Sequence, residues 1–288
     1  MNKIKLWFNI IRPKTLLSSI CPILVGGLLA YEKGIKDNGY IFFFLTLLCG
    51  VGLQILSNLI NDYYDFKKGA DKKDRLGPKR ALAEGKVSIK QLKTAICIDL
   101  ALVILLGLVL IWRGGLPILL IGISAIFFAW LYTATSHSLS YLGIADIFVL
   151  IYYGLLAVCG TYLITTNNIL FTKETIFAGL TCGFISMMLL MINNLRDIDE
   201  DREAGKHTLV VRFGKKTGET LLLIYAFLIL VCTFAAFGLS ITNFAFIPAY
   251  GLFTQVIKAK GSEYNKCLTK VGFVNLFFVV LLSIQTFV

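Results

Sequence analysis

The chain has 288 residues, of which 57% are hydrophobic and 16% charged, and its formal net charge is +11. A soluble domain is nearer half apolar and a quarter charged, so the composition excludes an ordinary soluble globular protein. The positive charge alone would suit a nucleic-acid partner, but its distribution along the chain argues against one.

Residues 4–11 read as a short helix lying at a membrane interface, with Trp7 as an anchor. An apolar block at 16–31 follows Arg12-Pro13-Lys14 and leads into eight more, so it reads as a first membrane span and not as a cleaved signal peptide. The others are 40–60, 92–112, 116–133, 142–165, 174–193, 217–238, 241–257 and 269–288, and the eighth is short and carries Pro248. About 20 apolar residues cover the ~30 Å hydrocarbon core as one helix. An outer-membrane barrel would show shorter, alternating segments. The expectation is therefore an all-α, polytopic membrane protein of nine transmembrane helices, forming one membrane domain over residues 1–288.

If the N-terminus is cytoplasmic and the spans alternate, the inner segments 1–15, 61–93, 194–217 and 258–270 hold 4, 10, 6 and 4 basic residues, 24 of the 28. That asymmetry sets orientation and accounts for the charge without nucleic acid. It predicts a multi-pass protein of the cell (inner) membrane. Of the seven cysteines, Cys21, Cys49, Cys97, Cys159, Cys182, Cys232 and Cys267, six lie in apolar blocks, and none shows metal-type spacing. They read as buried small side chains, with no disulfide implied.

Two polar segments stand out on the inner side. The first, 58–80, contains Asn61, Asp62, Asp65, Asp71, Asp74, Arg75, Lys79 and Arg80; the second, 193–209, contains Asn193, Asn194, Arg196, Asp197, Asp199, Glu200, Asp201 and Lys206. Each continues an apolar span. Residues four apart share a helix face, so Asn61 pairs with Asp65, Asn193 with Asp197, and Asp197 with Asp201. Carboxylates gathered at a membrane boundary need positive charge between them. Mg²⁺ takes few carboxylates, keeps waters and completes its shell with phosphate oxygens. Two such clusters facing one another would seat a diphosphate, with Arg75, Lys79, Arg80, Arg196 and Lys206 as candidates for the remaining oxygens. A solvated connecting loop is the bland alternative for either segment alone. Asp99 and Asp146 lie in or near apolar runs, where an acid is a functional suspect by default, though Asp99 reads rather as a protonated or helix-paired residue. Asp146 follows the inner loop 132–137, near the mouth of the same cavity; His137 in that loop reads as a loop residue or an acceptor contact.

At these segments the chain resembles the UbiA-type membrane prenyltransferases, through Asn61-Asp62-x-x-Asp65 and Asp197-x-x-x-Asp201. Three flanking features resemble the branch acting on 1,4-dihydroxy-2-naphthoate in menaquinone synthesis. They are Arg12-Pro13-Lys14-Thr15-Leu16, the run from Gly69 through Asp74-Arg75-Leu76-Gly77-Pro78 to Arg80, and Asn193-Asn194-Leu195-Arg196-Asp197 followed by Gly205-Lys206-x-Thr208-Leu209. The chain departs from many members at Gly69, where a further Asp is common, and at Ser136, where a Tyr-x-x-x-Lys pattern beginning at Tyr132 would place its Lys.

The resemblance implies nine helices around a central cavity, Mg²⁺ as cofactor, and a prenyl diphosphate and an aromatic acid as substrates. Its implied catalytic residues are Asp62, Asp65, Asp197 and Asp201, with Asn61, Asp65, Asp197 and Asp201 on the metal. Asn61, Arg75, Arg80, Asn194, Arg196, Lys206, Arg12 and Tyr132 form the candidate substrate-binding set. The implied reaction is decarboxylating transfer of a polyprenyl group to the naphthoate. Competing readings are another aromatic acceptor such as 4-hydroxybenzoate or homogentisate, a transporter, and a soluble prenyl synthase. A transporter would carry its acids near mid-span in broken helices, whereas these acids sit at span ends.

Overall fold

A computed structural model describes residues 3–35, 37–69, 76–77, 80–134, 138–167 and 171–288, and among them there is no strand. A short helix α1 (Lys3–Ile11) leads into α2 (Pro13–Glu32) and α3 (Gly39–Lys67). α4 (Ile89–Leu131) follows, then a four-residue turn of helix α5 (Leu139–Leu142). α6 (Ala145–Leu150) runs through a π turn (Ile151–Leu155) into α7 (Leu156–Thr166). α8 (Lys173–Arg196), the short α9 (Ile198–Glu203) and α10 (Leu209–Phe213), α11 (Lys215–Phe237), α12 (Phe246–Val256) and α13 (Tyr264–Phe287) complete the chain. Seven helices among the described residues are long and apolar enough to cross a membrane.

The expected nine blocks all fall in helix, but they do not map one to one onto these seven. The third and fourth share α4, a 43-residue element with Gly115 at φ 63° and ψ −149°. That backbone region is essentially open only to glycine. A straight helix of that length would run about 65 Å, twice the hydrocarbon core. Instead, α4 doubles back at Gly115. Near its start, the Lys93 ammonium lies 5.4 Å from the Tyr63 ring centre. Just past its end, the Thr133 hydroxyl donates to Asn61 Oδ1 at 2.7 Å. Both arms therefore return to the same end of α3. The eighth block is a 3-10 turn (Ile241–Ala245) followed by α12, only 11 residues long, with Pro248 in its first turn.

Helix ends sort into two groups, as the alternation of spans predicts. At one end, Lys14 donates to Thr269 at 3.1 Å and Arg196 to Asn265 at 2.8 Å. At the other, Thr286 donates to Glu32 at 3.0 Å, Arg113 to the Ile164 carbonyl at 3.3 Å, and the Tyr31 and Phe287 ring centres lie 4.9 Å apart.

α8 is the hub. Its Ala178, Cys182, Ile185, Met188, Met191 and Ile192 are fully enclosed by α2, α7, α11 and α13. Lipid tails are as apolar as leucine, so close backbone packing drives helix association in a bilayer. Gly154 in the π turn supplies it. A Cβ there would meet the Gly179 carbonyl oxygen at 2.5 Å and Gly183 Cα at 2.7 Å. The outer face of α4 exposes Leu102, Leu105, Leu108, Trp112, Leu116 and Leu120, a surface suited to lipid. Six cysteines are buried and none is bonded to another; Cys97, expected to be buried, is exposed on this outer face.

Candidate active site

α3 has 29 residues, about 43 Å of helix, so its last turns outreach the hydrocarbon core and carry Asn61, Asp62 and Asp65 into the boundary. Asp62 and Asp65 are both buried, and three cations meet them or stand close by. Arg12 bonds Asp62 directly. Arg80 lies 3.5 Å from Asp62, 2.6 Å from Asp65, and donates to the Asn61 carbonyl at 3.0 Å. Lys68 donates to the Thr133 carbonyl at 2.6 Å and sits 4.3 Å above the Tyr141 ring.

Arg12 forms the corner between α1 and α2 in a left-handed conformation, φ 56°. This conformation costs a non-glycine residue about 1–2 kcal/mol. Asn58 on α3 holds the corner from below, donating to the Ile11 carbonyl at 3.0 Å and to Thr15 Oγ1 at 3.2 Å. Pro13 then starts α2 with its φ already set.

The second cluster begins where α8 ends. Asp197 takes two hydrogen bonds of 2.6 Å from Arg196, which also reaches Asn265 at the start of α13. Helical spacing persists through the bend, since Asp197 N–H donates to the Asn193 carbonyl at 3.0 Å and Asp201 N–H to the Asp197 carbonyl at 2.7 Å. Asp201 is buried and receives Lys206 Nζ at 2.8 Å.

The two clusters converge. Burial pushes the Lys206 ammonium down, but the carboxylates of Asp201 and Asp65 outweigh it and hold the group above its ordinary 10.5. Burial lowers Lys68, with Asp65 opposing and Lys206 reinforcing the shift. Tyr132, at the end of α4, lies within electrostatic reach of Tyr153, Asp146, Asp201 and Asp65. The loops are stitched as well: Leu76 N–H donates to Glu200 at 3.0 Å, and Asn265 donates to the Leu76 carbonyl at 3.0 Å.

Asn61, Asp62, Asp65, Arg12 and Arg80 thus form one cluster, and Asp201, Lys206 and Tyr132 adjoin it. Asp197 and Arg196 stand beside it as a pair of their own. Asn194 is buried in the last turn of α8 and is joined to neither cluster by these contacts. Arg75, with Asp71, Asp74, Lys79, Ser136 and His137, lies outside the described residues. Asp99 packs between α3 and α4 near Cys49 and Gly52, apart from the site. Lys68, Thr133, Tyr141 and Asn265 were not singled out from sequence. Lys68 alone had a signal there, three residues after Asp65 on the same helix face. A groove of about 710 Å³ on the outer face of α4, from Ile89 to Ala101, shares no residue with the site.

The donors suit a hard divalent cation: several carboxylates and an amide oxygen, drawn from two helix ends. Among the described residues, no three Asp, Glu, His or Cys side chains are gathered closely enough to hold a metal as they stand. Arg80 and Lys206 stand among the acids and neutralise them. The residues fit the ion once these two cations turn outward. Both are long side chains whose heads can then serve a phosphate.

The family model described as "UbiA prenyltransferase family" matches residues 19–281. The 1,4-dihydroxy-2-naphthoate octaprenyltransferase of Haemophilus influenzae is 34% identical over 296 residues, covering 98% of this chain and 96% of that protein. The enzyme of the same name from Escherichia coli is 37% identical over 221 residues, 75% of this chain and 70% of that protein. A solved structure of a UbiA homolog from Archaeoglobus fulgidus bound to GPP and Mg²⁺ superposes with a TM-score of 0.68 at 18% identity, covering 98% and 99% of the two chains. At that identity the likeness speaks for the fold.

Proposed function

This chain belongs to the UbiA prenyltransferase family, and from that premise we propose that it transfers a polyprenyl group from its diphosphate to 1,4-dihydroxy-2-naphthoate with loss of carboxylate, as in menaquinone synthesis. The observation that carries the reading is that Lys68, three residues after Asp65, and Lys206, the partner of Asp201, stand over one ring, 4.3 Å and 6.0 Å from the centre of Tyr141. The naphthoate acceptor is supported by the names of the relatives that match over most of the chain.

Mg²⁺, when bound, supplies concentrated positive charge to the diphosphate oxygens. Asn61, Asp65, Asp197 and Asp201 would hold it, with Asp197 first released by Arg196. Arg12, Arg80 and Lys206 donate to the remaining oxygens, and Asp62 orients both arginines. The allylic C–O bond breaks with its electron pair going to the diphosphate oxygen. The electron-rich ring carbon forms the new C–C bond, and a carboxyl group departs as CO₂. Apolar helices keep water from the allylic cation. Phe128, whose ring centre lies 4.5 Å from that of Phe148 and 5.3 Å from that of Tyr152, would form with them an aromatic wall for the prenyl tail. The same reading sets the acid-bearing end and the N-terminus in the cytoplasm, in the cell (inner) membrane, with 1–288 acting as one domain.

The test uses purified protein in lipid nanodiscs with Mg²⁺, a labelled prenyl diphosphate and a panel of aromatic acids, with products identified by mass. We expect a demethylmenaquinone-type product from the naphthoate, and none from Asp65→Ala or Asp197→Ala protein that still inserts in the membrane. Near-normal turnover in either variant would remove the site assignment; transfer to 4-hydroxybenzoate instead would change the acceptor.

A further inference from the structure

Asp146 has no role in the binding of metal or diphosphate described above, yet its position is costly. It lies in the first turn of α6 and is 5% exposed. An ionisable group enclosed by membrane helices is retained for a function or for a partner. Asp146 has part of a partner. Its own backbone N–H and the hydroxyl of Tyr225 on α11 lie within interaction range of its carboxylate. Tyr225 is itself buried and stacks on Phe184, with ring centres 6.1 Å apart and planes at 25°, so the hydroxyl is held rigidly.

The Oδ1 of Asp146 is buried and meets no hydrogen-bond donor among the described residues. A buried acceptor left in this state costs about 1–3 kcal/mol. Asp146 also lies within electrostatic reach of Tyr132, which senses Asp65 and Asp201 at the same time. Tyr132 thus links Asp146 to the acids of both segments. Negative charge there would repel a diphosphate. It suits a neutral hydroxyl donor carried on a ring.

We propose that Asp146, braced by Tyr225, accepts a hydrogen bond from the 4-hydroxyl of the aromatic acceptor. It thereby fixes which ring carbon faces the allylic carbon. This rests on the acceptor class given under Proposed function. A site built around a substrate hydroxyl discriminates strongly against analogues lacking it, because its own buried group is then left unpaired.

The test compares 1,4-dihydroxy-2-naphthoate with 1-hydroxy-2-naphthoate as acceptors, at saturating prenyl diphosphate and Mg²⁺, in nanodiscs. For Asp146→Leu we expect the KM for the dihydroxy acceptor to rise about tenfold or more, and for Asp146→Asn, whose amide oxygen still accepts, by less. The preference over the monohydroxy acceptor should shrink, and the KM for prenyl diphosphate should stay within about twofold. Tyr225→Phe, which keeps the ring, should shift the acceptor KM in the same direction by less. An unchanged acceptor KM in both Asp146 variants overturns the proposal. So does an equal rise in the prenyl-diphosphate KM, or an undiminished preference. Wild-type protein that transfers to neither naphthoate overturns the acceptor class itself, and the role of Asp146 with it.

Discussion

Arg80 is the residue on which the site's resting geometry turns. Its side chain is 7% exposed and serves Asp62, Asp65 and the Asn61 carbonyl together. Removing one partner of a buried ion pair leaves a stranded charge and costs about 3–5 kcal/mol. Arg80→Met should therefore lower the thermal unfolding midpoint in detergent by several degrees. Arg80→Lys should recover only part of it, since an ammonium is a point donor and cannot span three acceptors as a planar fork does. The acids of both segments were legible from four-residue spacing, because helix geometry makes that spacing visible in one dimension. Asn265 and Tyr225 were not. Tyr225 sits within α11, where the sequence reads as membrane span, and Asn265 in the inner segment 258–270, and only the approach of distant elements gives them their partners.

Helix α4 shows what element-scale reading captures and what it leaves out. Two apolar blocks with Arg113, Gly114 and Gly115 between them were readable as two spans. The tightness of the turn was not readable, because it depends on a single backbone conformation at Gly115. Gly115→Ala should cost about 1–3 kcal/mol, read as a lowered unfolding midpoint, while Gly107→Ala on an open face of the same element serves as the control. The π turn at Ile151–Leu155 has no such signature in sequence. It places Gly154 against Gly179 and Gly183, and three glycines spread over two helices reveal their contact only after folding.

Across the whole molecule, the described helix ends divide into one end holding the two acidic segments and another holding Glu32, Arg113, Trp112 and Phe287. Single cysteines introduced into a cysteine-free background would measure the sidedness. Glu84→Cys and Lys258→Cys should react with a membrane-impermeant maleimide from the cytoplasmic side of inside-out vesicles, and Leu239→Cys, which is 93% exposed, only from the opposite side. Labelling of Glu84 and Leu239 from the same side would break the alternation. The pairing of Arg12, Arg80, Arg196 and Lys206 with four acids has a further consequence. These four acids are paired before any ligand arrives, so on the proposed reading divalent ions serve turnover and not assembly. Protein stripped with EDTA should lose all transfer yet melt within a few degrees of the loaded form, and readdition of Mg²⁺ should restore activity without a refolding lag.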